Sequence, residues 1–97
     1  MTSANEVKEI LHKNMMARID SGKRRAFDVL NIIDACILNA VNECNLFTEV
    51  HILRLTTFNN EEEKQSYIHT LKTELKESGY NVAYSPASGV MKITWGY

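Results

Sequence analysis

The sequence predicts an α+β fold: a helical hairpin followed by a β-α-β-β unit with a small three-stranded antiparallel sheet, all in one domain, residues 1–97. Three observations carry this expectation. Residues 26–44 hold no Pro or Gly and gather Asp28, Asn31, Asp34, Asn39 and Asn42 near one narrow helical stripe, leaving a wide apolar surface. Residues 60–78 form an amphipathic segment with a start signal at one end and a stop signal at the other. Residues 80–85 and 90–95 alternate in polarity on either side of a Pro86-Ala87-Ser88-Gly89 turn.

At the N-terminus, Ser3 and Glu6 have capping-box spacing, so a helix starts there. Val7, Ile10, Leu11, Asn14, Met15 and Arg18 fall on one of its faces. The pattern runs to about Asp20, where Ser21-Gly22 is expected to break it and turn the chain into a second, antiparallel helix. Lys23-Arg24-Arg25 would open that second helix. Asn45, Leu46, Phe47 and Thr48 read as a connection, and the β-branched and apolar composition of residues 49–57 as a strand.

Either Asn59 or Asn60 serves as the cap of the third helix, and Glu61-Glu62-Glu63 suit the positive end of its dipole. Tyr67, Ile68, Leu71 and Leu75 form its apolar stripe; Gly79 ends it in a left-handed conformation. In the closing hairpin, setting Ser85 opposite Val90 pairs Tyr84 with Met91, Val82 with Ile93 and Tyr80 with Trp95, with all six on one buried face.

Composition narrows the function. A net charge of −1 gives no global field favouring nucleic acid or an anionic membrane, and no apolar run is long enough to cross a bilayer. The first residues lack signal-peptide features, so a cytoplasmic location is expected. Cys36 and Cys44, eight residues apart on one helix, would be separated by about 12 Å, too far for a bridge.

No catalytic or cofactor motif is present, and His12, His51 and His69 fall on separate elements. Asp28, Asn31 and Asp34 are spaced for a cation, but a polar stripe at the solvent edge explains them more simply. The expectation is therefore a protein that is not an enzyme and uses no cofactor or metal.

The Lys23-Arg24-Arg25 entry has two readings. Cations beside the free N–H groups of a helix start form an anion site, with Arg24 and Arg25 as principal contacts and Arg18 and Lys13 adding charge from the preceding helix. The simpler reading is a solvated charge run. Neither gives the wide basic surface of a nucleic-acid binder. Tyr97 is a candidate for stacking on a base or a partner. The excess apolar surface of residues 26–44 predicts a homo-oligomer joined through Ile33, Ile37 and Val41.

Leu71, Leu75, Gly79-Tyr80, Val82 and Ile93-Thr94-Trp95 spell helix, Gly-Tyr, short strand, turn and short strand ending in Trp. This pattern resembles the ending of many small uncharacterised proteins of tailed bacteriophages, over residues 37–95. The resemblance implies a viral origin in a host-cell cytoplasm and transfers no catalytic residue. It implies a small binding protein that interferes with a host process (counter-defence), by sequestering a nucleotide signal or by blocking a host protein. The alternative is a structural or assembly accessory of the virion.

Overall fold

The computed structural model describes residues 1–96; Tyr97 lies outside the described residues. The elements are α1 (Ala4–Asn42), β1 (Phe47–His51), a 3-10 turn (Ile52–Arg54), α2 (Glu61–Glu77), β2 (Asn81–Ser85) and β3 (Val90–Thr94). The three strands form one antiparallel sheet in the order β1-β3-β2. The α+β class and the small sheet are as the sequence predicts.

The helical hairpin is not formed: α1 is one uninterrupted helix of 39 residues. Ser3 caps it, its Oγ accepting from Glu6 N–H at 3.2 Å. It passes straight through Ser21-Gly22 because Gly22 is needed there for a different reason. Gly22 is buried against α2, and a Cβ on it would meet the Glu63 carbonyl and lie 2.7 Å from Ser66 Cβ. Gly costs about 1 kcal/mol in a helix interior, which the close crossing of two helices offsets. Ser66 tightens the crossing by donating to the Ile19 carbonyl at 2.6 Å.

α2 runs alongside the second half of α1 only. Ala26, Val29, Ile33 and Ile37 of α1 pack with Tyr67, Ile68, Leu71 and Leu75 of α2 and with Val50, Ile52, Met91 and Ile93 beneath them. Ile33 and Ile37, expected at a subunit interface, are therefore spent on the chain's own core, at 1% and 5% exposure. Only one face of residues 26–44 is buried; Phe27, Ile32, Leu38 and Val41 remain exposed.

The strand expected over residues 49–57 starts earlier and stops at His51, because its partner runs out. His51 sits opposite Val90, the first residue of β3, and Ile52 N–H then bonds the Gly89 carbonyl in the hairpin turn at 3.2 Å. With no strand left to pair, Ile52–Arg54 winds into the 3-10 turn, and Ile52 enters the core with 0% exposure.

α2 has the predicted ends. Asn60 Oδ1 accepts from Glu63 N–H at 2.8 Å. At the other end Gly79 takes φ +96° and Tyr80 N–H reaches back to the Leu75 carbonyl at 3.0 Å. The hairpin register is the predicted one, with Ser85, Tyr84 and Val82 opposite Val90, Met91 and Ile93. Tyr80 and Trp95, just beyond the strands, meet edge to face at 6.4 Å. Met91 and Ile93 are fully buried, whereas Val82, Tyr84, Tyr80 and Trp95 are half-buried, since β2 is an edge strand and only β3 lies at the centre of the sheet.

The molecule measures 64 × 23 × 22 Å. Its length is that of α1: 39 residues at 1.5 Å each span about 58 Å. Every residue from Ala4 to Asn14 is exposed. Residues 4–17, ahead of the first contacts with α2 at Arg18 and Ile19, thus form an arm that projects from an α+β head.

Candidate functional site: the basic segment and the projecting arm

The continuity of α1 changes the chemistry of the basic segment. Residues 23–25 lie inside a helix, so their N–H groups belong to its hydrogen-bond ladder. The positive end of the dipole is at Ser3, about 30 Å away at 1.5 Å per residue. The helix start on which the anion site depends is absent from this position.

The four cations also separate. Arg25 turns toward α2, where its Nε pairs with Glu63 Oε1 and its Nη1 donates to Thr56 Oγ1 at 3.4 Å. Glu63 is 2% exposed, and among the described residues these two atoms, Nε and Oε1, have no other polar partner. Arg18 pairs with Glu62 at 3.2 Å, with both side chains partly in solvent. That bridge is weak, of order 0–1 kcal/mol. Arg24 is exposed. Lys23 borders a shallow groove with Phe27, His69, Thr70, Thr73 and Glu74, whose carboxylate disfavours an anion.

What the structure brings together is a helix crossing instead: Gly22 for close approach, Ser66 on the Ile19 carbonyl, and the Arg25–Glu63 pair with Thr56. Sequence reasoning missed Glu63 here by assigning it to helix-start chemistry alone. Its signal is that it heads the stripe Glu63, Tyr67, Leu71, Leu75 at spacings of four. A carboxylate at the head of a buried stripe needs a buried cation.

Other sequence candidates stay apart. His12, His51 and His69 are exposed on α1, β1 and α2, and Asp28, Asn31 and Asp34 on α1 carry no cluster. Among the described residues no three His, Cys, Asp or Glu side chains gather as a metal-binding group. Cys36 is half-buried on α1; Cys44 lies just past its end in a left-handed conformation, and both are free thiols. Among the described residues, no helix is long and apolar enough to cross a membrane.

The arm is an uncovered apolar surface. Val7, Ile10 and Leu11 expose 52%, 54% and 59% of their area. At 100° per residue, Val7, Leu11 and Met15 extend the face that carries Gly22, Ala26, Val29 and Ile33 farther along. Glu6, Glu9, Lys13 and Asp20 occupy the opposite side. One face of one helix is therefore covered by α2 over its second half and bare over its first. No protein-family model, curated protein or solved structure matches the chain.

Proposed function

We propose that this is a small non-enzymatic binding protein whose ligand is another protein, held by the arm of α1. The observation that carries the reading is the arm's amphipathic face, apolar along Val7, Ile10 and Leu11, which are exposed, and continued toward the head by the half-buried Met15. An apolar helix stripe laid into a complementary surface is a recurring mode of protein recognition. The pairing of Arg25 and Arg18 with carboxylates counts against a phosphate-bearing ligand at residues 18–25. If the chain is viral, as its resemblance to phage proteins implies, the host-directed task is to block a host protein rather than to sequester a nucleotide. The second reading, an accessory of virion assembly, is favoured by the same arm, since a projecting helix serves to join subunits.

A photo-crosslinking residue at Leu11, with Glu9 on the opposite face as control, tests the reading in a bacterial cell. The expected result is a discrete protein adduct from Leu11 and none from Glu9. In parallel, a panel of cyclic and linear nucleotides is expected to leave the melting curve unchanged, and Lys23→Glu with Arg24→Glu to melt like the parent. A bound nucleotide at a hundred times its dissociation constant would stabilise by about 2.7 kcal/mol. A shift of that size, or no adduct at Leu11, overturns the protein-binding reading.

A further inference from the structure

We infer that the arm's partner is a second copy of this chain, with the two arms antiparallel and the two Leu11 side chains at the crossing point. This rests on the arm being a protein-binding element and names what it binds.

The first argument is continuity. α2 begins at Glu61, level with Ile19 and Gly22 of α1, and runs in the same direction as α1 toward Ile33 and Ile37. In line with α2, over residues 4–18, the same face of α1 is open. A partner arm laid there takes the place that α2 holds in the head.

The second argument is spacing. Val7 and Met15 each stand four residues from Leu11, and Ala4 and Arg18 each stand seven. A two-fold axis at Leu11 therefore sets Val7 opposite the partner's Met15 and Ala4 opposite the partner's Arg18. Larger side chains face smaller ones, which lets the layers fill the contact evenly. Arg18 can lay its stem along the contact while its guanidinium stays on Glu62.

The third argument is charge, and it selects the orientation. The first turn of α2 carries Glu61, Glu62 and Glu63. Glu62 and Glu63 are matched by Arg18 and Arg25, whereas among the described residues Glu61 pairs with the Gln65 amide alone, at 2.8 Å. Antiparallel pairing brings the partner's helix start, with its positive dipole end, up to this acidic turn; the start is capped by Ser3 and carries one carboxylate, Glu6, in its first turn. Parallel pairing would place two acidic turns side by side.

An overlap of fifteen residues is about 22 Å long. That is the small end of specific interfaces, below about 1,200 Å² in total, so the dimer forms at micromolar rather than nanomolar concentration.

Sedimentation equilibrium on the full chain, from about 1 to 500 μM, tests this. A reversible monomer–dimer equilibrium is expected. Leu11→Asp places two carboxylates at the crossing and is expected to weaken it about a hundredfold or more. It should leave the dilute-solution melting curve unchanged, since Leu11 stands exposed on the projecting arm. In a Cys36→Ala, Cys44→Ala background, mixing Val7→Cys with Met15→Cys protein is expected to give the mixed disulfide. A monomer throughout the range, a Leu11→Asp variant that dimerises like the parent, or homodisulfides alone would each overturn the proposal. A monomer that still crosslinks through Leu11 to a different protein refutes the second copy but spares the protein-binding reading. A monomer without any adduct refutes both.

Discussion

Arg25→Ala is expected to lower the unfolding free energy by about 3–5 kcal/mol, because it leaves the Glu63 carboxylate buried with no cation. Domains of this size have only about 5–15 kcal/mol in total, so the melting temperature should fall by more than about 10 °C. Arg24→Ala, one residue away on the exposed side of α1, should stay within about 0.5 kcal/mol of the parent. Arg25→Met combined with Glu63→Leu removes both charges together and should recover much of the loss, since a packed apolar pair replaces a desolvated ionic one. Urea unfolding of the four proteins measures the series. Equal effects at positions 24 and 25 would return the basic segment to the solvated charge run of the simpler sequence reading.

Tyr67→Ala is the other substitution of comparable size, at about 3–5 kcal/mol. Tyr67 is fully buried, packs on Phe58 at 4.9 Å between ring centres, and donates its hydroxyl to the Ile52 carbonyl at 2.6 Å. That bond holds the 3-10 turn to α2 at the point where β1 has no further strand to pair with. Tyr67→Phe keeps the ring but leaves the Ile52 carbonyl with the longer bond from Leu55 N–H, at 3.4 Å, and should cost about 0.5–1.5 kcal/mol.

The phenol also makes stability depend on pH. Burial above all, and then the charge of Tyr84, raises its pKa well above the ordinary value near 10. A raised folded value means that the unfolded chain releases the proton first as pH rises. The stability tied to this group is therefore complete below about pH 10 and declines above it. Tyr67→Phe should flatten that part of the alkaline decline, as denaturant midpoints at pH 9, 10 and 11 will show.

Much of this fold is written in short-range signals. The Asn60 cap, the Gly79 stop and the alternation on either side of residues 86–89 each act within a few residues, and the sequence reading placed α2 and the hairpin register correctly from them. The failures share a cause. Gly22 breaks a helix or lets a second helix approach, and the choice depends on Ser66 and Glu63, more than forty positions away. Residues 52–57 have strand composition but no partner, which only the length of β3 reveals. The basic segment shows the same dependence on distant residues. Arg24 and Arg25 are adjacent and chemically alike, yet one meets solvent and the other Glu63, because 100° of helix rotation separates them.

The long helix also has two stabilities in one element. From Gly22 onward its backbone is shielded by α2 and the sheet, so its amides should open only with the whole head. Residues 4–17 have no such cover, and an isolated helix of that length is marginal in water. The arm therefore frays from Ser3 inward in the monomer, and trypsin should cut at Lys8 and Lys13 long before it reaches the head. When two arms pair, the same peptide bonds become sheltered. Resistance of the arm to proteolysis should rise with protein concentration, while that of the head stays constant.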